Sequence, residues 1–163
     1  MVTSFSKFKS EWEADAGKPE NTIFYYLIAA LNIEKDPQLA DAMMTVIVSK
    51  NDCVEDEESP SGLKLGRSAK YFIGQFKQNK NIARSYVGGT PKNGYNIDKD
   101  KLVMTVTKKQ QHGKSLKIFI DSAGKDMDTP LQLQQNNNGQ WKLTEYSSVC
   151  TGVRKTVQEE GDF

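Results

Sequence analysis

The sequence predicts an α+β domain in which N-terminal helices pack on a curved antiparallel sheet of about four to five strands. Three observations lead to this fold class. Apolar residues recur at helical spacing between Phe5 and Ile47, whereas from Leu102 onward they alternate with polar residues at the period of a β-strand. The turn formers Asn136–Gly139 then separate two alternating runs, which predicts a closing β-hairpin.

Three helices are predicted in the first fifty residues. Ser4 is a suitable N-cap for the first, and Asn21 or Thr22 for the second. Asp36-Pro37 favours the start of the third, because Asp caps a helix and Pro fits its first turn. The three apolar stripes are Phe5, Phe8 and Trp12; Ile23, Phe24, Leu27, Ile28 and Leu31; and Leu39, Ala40, Met43, Met44 and Ile47. The later segment Gly66–Lys77 is compatible with a short helix or a strand.

The second half of the chain predicts an antiparallel meander. Ile82–Val87 is a candidate first strand, and Leu102–Thr107 and Leu116–Ile120 alternate regularly. The hairpin over residues 129–149 follows, with Leu131, Leu133, Trp141 and Leu143 sharing one face. A large aromatic residue on that face is expected to anchor the core, so we predict that Trp141 is buried.

We interpret residues 1–155 as a single domain and 156–163 as a frayed C-terminal tail. The segment 52–62 interrupts the domain with a run of carboxylates followed by Ser59-Pro60-Ser61-Gly62. Like charges repel, and Pro and Gly oppose regular structure, so a mobile acidic loop is expected here.

The composition excludes several classes of partner. The 22 basic and 21 acidic residues nearly cancel, which argues against nucleic acid or an anionic membrane as the main partner. No apolar run approaches the roughly 20 residues needed to span a bilayer, and the first residues lack the apolar core of a signal peptide. We therefore expect a cytoplasmic protein with Cys53 and Cys150 as reduced thiols.

Several short motifs resemble a family of uncharacterised bacterial domains. They are Ile82-Ala83-Arg84-Ser85-Tyr86, Gly89-Thr90-Pro91-Lys92-Asn93-Gly94-Tyr95, Trp141-Lys142-Leu143, Ser147-Ser148-Val149 and Gly152-Val153-Arg154. The family pattern reads ARSY…GATPENGY…WxL…SSL…VGVRPP, and the match covers residues 66–155. Lys92 and Lys155-Thr156 depart from it. The resemblance implies a shared domain without a known activity. The order of helices before sheet is also similar to the NTF2-like (cystatin-like) architecture, in which a sheet curls around a helix and encloses a pocket.

Residues with catalytic potential are scarce. His112 is the only histidine and falls in a predicted exposed turn. Asp121 and Glu145 lie at predicted strand ends, and Glu145 would be desolvated if the Trp141 face is buried. A structural ion pair, or an edge position at the rim of the sheet, is the favoured interpretation of Glu145. No phosphate loop or dinucleotide motif is present. We therefore predict no enzymatic activity, no catalytic residue, no cofactor and no metal site.

Two functional hypotheses remain open at this point. The first is a non-enzymatic protein-interaction module, serving as an immunity or adaptor protein of a bacterial secretion or toxin system. Its recognition surface would combine residue types common at interface hot spots with the acidic run, which would steer a basic partner. These candidate residues are Arg84, Tyr86, Tyr95, Tyr146 and Arg154, with Glu55, Asp56, Glu57 and Glu58. The alternative is an NTF2-like pocket protein that binds or converts a small apolar ligand.

Overall fold

Helices precede an antiparallel sheet in the computed structural model, which describes residues 1–161. The helices are α1 (Phe5–Asp15), α2 (Pro19–Asn32), α3 (Pro37–Ile47), α4 (Arg67–Gln78), α5 (Asn81–Arg84) and α6 (Val157–Glu160). The strands are β1 (Cys53–Glu55), β2 (Leu63–Leu65), β3 (Val106–His112), β4 (Ser115–Ile120), β5 (Thr129–Gln135) and β6 (Trp141–Glu145). Short 3₁₀ turns occupy Lys50–Asp52 and Ser147–Cys150. The predicted α+β class is confirmed.

The three N-terminal helices form where their apolar spacing predicts them. α3 begins after Asp36, whose carboxylate accepts a hydrogen bond from the Leu39 amide at 3.1 Å. α2 begins at Pro19, earlier than the predicted caps at Asn21 and Thr22, because proline is favoured in the first helical turn. Both α1 and α2 contact their neighbours through the buried faces that the spacing indicates.

The predicted strand Ile82–Val87 is wrong, since its first half lies in α5. Local side-chain bonds favour the helical turn: the Asn79 carboxamide accepts from the Asn81 amide at 3.0 Å, and the Ser85 hydroxyl donates to Ile82 O at 2.7 Å. Gly66–Lys77 takes the helical alternative as α4.

The main sheet has the order β3-β4-β5-β6, with every neighbouring pair antiparallel. The strand predicted at Leu102–Thr107 is displaced, because β3 begins only at Val106. Val106 pairs with Ile120, the last residue of β4, and beyond this pair the Asp121 amide donates to Thr105 O at 3.0 Å without extending the strand. The β5–β6 hairpin forms as predicted, and Leu133 pairs with Leu143.

The apolar core lies between α2 and the inner face of the sheet. Its largest fully buried side chains include Tyr26, Ile23, Leu27, Leu31, Met43, Ile118 and Ile120. Leu131, Leu133 and Leu143 are also fully buried, which confirms their shared face. Trp141 is only half-buried, because it pairs with Gln135 at the end of the ladder, beside the hairpin turn. Trp12 of α1 is the buried tryptophan, at 3% exposure.

The acidic segment 52–62 contains regular structure, contrary to the expectation of an irregular loop. β1 and β2 form a separate two-stranded hairpin in which Cys53 pairs with Leu65. Side chains close its tip, since the Asp56 carboxylate accepts from the Glu58 amide at 3.1 Å. The Ser61 hydroxyl lies 2.7 Å from that of Thr45, which attaches the hairpin to α3.

The C-terminal segment is also more regular than a frayed tail. Thr156 caps α6, and the Val157 amide donates to Pro91 O at 2.9 Å. The remainder of the predicted tail, residues 162–163, lies outside the described residues. Across residues 1–161, the helices are too short or too polar to cross a membrane.

Candidate functional site

Within residues 1–161 the side chains with acid–base or metal-binding potential form no cluster of three or more that could hold a metal ion. His112 is exposed at the end of β3. Glu145 is exposed rather than desolvated, and its carboxylate accepts from the Ser147 amide and hydroxyl. Cys53 and Cys150 are free thiols, as expected, and burial raises the pKa of both.

The recognition surface predicted from tyrosines does not form, because Tyr86, Tyr95 and Tyr146 are at most 3% exposed. Each hydroxyl instead bonds an inner partner. Tyr86 donates to Val149 O at 2.9 Å, and Tyr146 donates to the Asp52 carboxylate at 2.8 Å. The amphipathic ring of tyrosine suits a buried position with a polar tip as well as an interface. In this fold the three tyrosines stabilise the domain.

The two predicted arginines also make intramolecular pairs. Arg84 forms two hydrogen bonds to the Glu34 carboxylate, at 2.7 and 3.0 Å, and a third to Tyr95 O at 3.1 Å. Arg154 pairs with Asp126 and remains half exposed. Arg84 is therefore committed to the fold, whereas Arg154 still lies at the surface.

The Thr90–Tyr95 motif, which carries much of the family resemblance, builds a self-bonded loop. The Thr90 amide donates to the Asn93 carboxamide at 2.9 Å, and the Asn93 amide donates to the Thr90 hydroxyl at 3.0 Å. Tyr95 adopts φ +58°, which is uncommon for a residue with a side chain. A Cβ at Gly89 would lie 2.8 Å from Arg84 O, so this position requires glycine. These bonds account for the motif as a structural element.

The acidic residues remain on the surface, but in a defined arrangement. Glu55, Glu57 and Glu58 are exposed on the β1–β2 hairpin. Asp56 is partly buried, since its carboxylate closes the tip. None of the four forms an ion pair within the part of the chain that the structure describes. Their charge is available to a partner.

A polar cleft, which we name the β6 cleft, lies between the β5–β6 turn, the end of α3 and the β1–β2 hairpin. It has two lobes of about 430 Å³ each. Four residues line both lobes: Lys50, Asn136, Asn138 and Lys142. The first lobe adds Ser49, Asn51, Gln134, Gln135, Asn137 and Thr144; the second adds Lys9, Trp12, Glu13, Thr45, Val46, Ser61, Leu63 and Gln140.

The strand pattern and the end of α3 together build this cleft. Lys142 pairs with Gln134, on the face of β6 opposite the buried Leu143. The chain leaving α3 then runs beside β6: Val48 bridges to Leu143, and the Ser49 amide donates to Leu143 O at 2.8 Å. The 3₁₀ turn Lys50–Asp52 therefore forms one wall of the cleft, and the β5–β6 turn forms the other.

Lys142 lies where the two lobes meet. Its Nζ donates to Val46 O at 2.6 Å and lies 5.3 Å from the centre of the Trp12 ring. Burial lowers the pKa of this lysine to about 8. An ammonium group has three N–H donors, and Val46 O is its one acceptor among the described residues. Lys142 thus retains hydrogen-bonding capacity at the cleft.

Lys125 provides a direct comparison. Burial lowers its pKa to about 8 as well. Its Nζ, however, donates to the Tyr86 hydroxyl at 2.7 Å, to Ser148 O at 2.9 Å and to the Thr151 hydroxyl at 2.7 Å. All three donors are used, so Lys125 joins its loop to the C-terminal segment and has no donor left for a ligand.

Sequence reasoning missed the β6 cleft. On a strand with alternating residues, Lys142 is simply a polar residue opposite Leu143, and Lys50 follows a helix of uncertain end. The one available signal was the strand period, which places Lys142 and Gln134 on the same face. The approach of α3 and α1 to that face is a tertiary contact without a local pattern.

The fold and site define an α+β domain with a surface cleft that contains a half-buried lysine. The chain belongs to the family described as Domain of unknown function (DUF6935), whose model matches residues 1–157. The predicted membership in an uncharacterised domain family is thereby confirmed, over a longer range than residues 66–155. No curated protein and no solved structure matches the chain.

Proposed function

We propose that this protein is a non-enzymatic interaction module that binds a segment of another protein in the β6 cleft. The observation that carries the proposal is the unused hydrogen-bonding capacity of the cleft walls. In the described chain, the side chains of Asn51, Asn137, Asn138 and Thr144 make no hydrogen bond. Carboxamides and hydroxyls can donate and accept, so they suit the backbone and polar side chains of an extended segment.

The filled interior favours this function over a pocket for an apolar ligand. Tyr26, Leu27 and Leu31 of α2 are fully or almost fully buried, as are Ile118 and Leu131 of the sheet. These large side chains occupy the space that an NTF2-like cone would leave for a ligand. The NTF2-like relationship and the conversion of a small ligand are therefore the less supported alternative.

The exposed carboxylates of the β1–β2 hairpin favour a partner that also carries basic residues. Ser61 and Leu63 belong to this hairpin and line the second lobe of the cleft. The exposed carboxylates of Glu55, Glu57 and Glu58 are thus carried by an element that forms part of the cleft. Unpaired surface charge raises association rates with a complementary partner. A cytoplasmic immunity or adaptor protein, recognising one target, is a role that such a surface would serve.

The proposal is tested by filling the cleft. Thr144→Trp places a bulky ring in the first lobe, whereas His112→Trp places the same ring at an exposed site on β3, the opposite edge of the sheet. Both variants and the parent are immobilised and used to capture partners from native lysate, and the captured protein is purified for a direct titration. We expect the parent and His112→Trp to bind equally and Thr144→Trp to bind at least 10-fold more weakly. Equal binding by all three, or no captured partner, contradicts the proposal.

A further inference from the structure

The charges around the β6 cleft have one predominant sign. Lys50 and Lys142 line the first lobe, and no Asp or Glu is among its described lining residues. The second lobe adds Lys9 and Glu13, whose charged groups lie 3.8 Å apart and offset each other. Cys53 also influences the Lys142 ammonium, but burial raises the pKa of this thiol and thus favours its neutral form. The cleft therefore carries a net positive charge, centred on Lys142 and Lys50.

Lys142 is placed to hold an anion without rearrangement of the fold. Val46 O belongs to the last turn of α3, so the bond from Lys142 caps a helix C-terminus. The Trp12 ring covers a further side of the ammonium. A capped and partly desolvated ammonium binds a carboxylate more strongly than a solvated one, because fewer water molecules compete and the side chain is already ordered.

We infer that the segment bound in the β6 cleft is acidic, and that a carboxylate of the partner is received by Lys142 together with Lys50. This inference rests on the proposed function and adds the chemistry of its ligand. Lobes on both sides of Lys142, each about 430 Å³, exceed the size of a small anion and accommodate neighbouring residues of a chain. The carboxamides of Asn51 and Asn138 then bond the backbone of that segment.

The test uses two short peptides with identical lengths and blocked termini, one alternating Gly with Glu and the other alternating Gly with Gln. Each is titrated into ¹⁵N-labelled protein, and the side-chain amide signals of Asn51 and Asn138 report cleft occupancy. We expect the Glu peptide to shift these signals at concentrations about 10-fold lower than the Gln peptide, with a difference that shrinks as salt is raised. Binding should also raise the pKa of Lys142, followed through its ε-methylene signals.

Two variants and a control separate charge from folding. Lys50 is exposed, so Lys50→Gln should leave the fold unchanged and should weaken binding of the Glu peptide about 10-fold. Lys142→Met should weaken it at least as much, with circular dichroism confirming that the variant is folded. Lys108→Gln removes an exposed charge on β3, at the opposite edge of the sheet, and should change nothing.

Other outcomes overturn the inference in distinguishable ways. Equal binding of the Glu and Gln peptides, or of the Glu peptide by parent and Lys50→Gln, removes the acidic requirement. If Thr144→Trp still abolishes partner binding in that case, the proposed function survives and only the ligand chemistry fails. Tighter binding of inorganic phosphate than of the Glu peptide would refute a peptide ligand. If neither peptide shifts the cleft amides, recognition of an acidic segment there is refuted.

Discussion

Two glycine-to-alanine substitutions should change the stability of this protein in opposite directions. Gly124 lies in the loop between β4 and β5, where its amide donates to the Ser122 hydroxyl and its carbonyl accepts from the Arg154 amide. A Cβ at this position would lie 2.6 Å from the Tyr95 hydroxyl and 2.6 Å from Val153 Cβ. Gly74 lies within α4, and a Cβ there would meet nothing within 4 Å.

The magnitudes follow from these surroundings. Tyr95 is fully buried, and its hydroxyl donates to Arg154 O, so it has little freedom to move away from a new methyl group. We expect Gly124→Ala to lower the free energy of unfolding by about 1–3 kcal/mol, the usual cost of overpacking. Gly74→Ala should gain about 0.5–1 kcal/mol, because alanine loses less conformational entropy than glycine in a helix. At about 2–4 °C per kcal/mol for a chain of this size, the two melting temperatures should differ by several degrees.

Urea denaturation followed by circular dichroism measures both changes, with the slope of the transition confirming that the unfolded states are comparable. Thermal melting gives an independent ranking. A Gly124→Ala protein as stable as the parent would show that the Tyr95 and Val153 packing described above is too loose to matter. A Gly74→Ala protein that is destabilised would show that the open face of α4 is occupied.

Three further predictions concern single side chains. Trp12→Ala should lower the free energy of unfolding by about 3–5 kcal/mol, as for other buried aromatics. Trp141→Ala should lower it clearly less, because Trp141 is half-buried. Equal losses in urea denaturation would contradict the assignment of Trp12 as the core tryptophan. Asp56→Ala should destabilise the protein by about 0.5–1.5 kcal/mol, because it removes the hydrogen bond that closes the tip of the β1–β2 hairpin. Glu57→Gln should stay within about 0.5 kcal/mol of the stability of the parent. The reverse ranking of the two stabilities would refute the described tip. Folding lowers the pKa of Lys142, so between pH 8 and 10 the unfolded chain binds more protons than the folded one. The parent should therefore gain stability relative to Lys142→Met as the pH rises through this window. A constant difference in stability between the two proteins would exclude the shifted pKa.

Local patterns predicted the parts of this fold that local interactions determine. The periodicity of α1–α3, the Asp36 cap and the β5–β6 hairpin each depend on residues close together in the sequence. Register was also predictable on the buried face, since Leu131, Leu133 and Leu143 could not be moved by one residue without exposing all three.

The errors occur where a residue type or a short run has two common uses. A six-residue apolar run such as Ile82–Val87 suits a strand or a buried helical turn, and here Asn79 and Ser85 favour the turn. Tyrosine is frequent in interfaces and in cores, so Tyr86 and Tyr95 could not be assigned from their type. The β6 cleft arises from the contact of β6 with the end of α3, almost one hundred residues earlier, and no local pattern reports that contact.

The two-stranded hairpin between α3 and α4 has consequences for protein engineering. Its ends meet, because the Gly66 amide donates to Asp52 O at 2.7 Å directly below the Cys53–Leu65 pair. A hairpin whose two ends lie close together can change length without displacing the elements on either side. A short epitope or fluorophore-accepting peptide inserted after Glu57 would thus leave the α3–α4 junction in place. It would also place a reporter on the element that forms one side of the cleft.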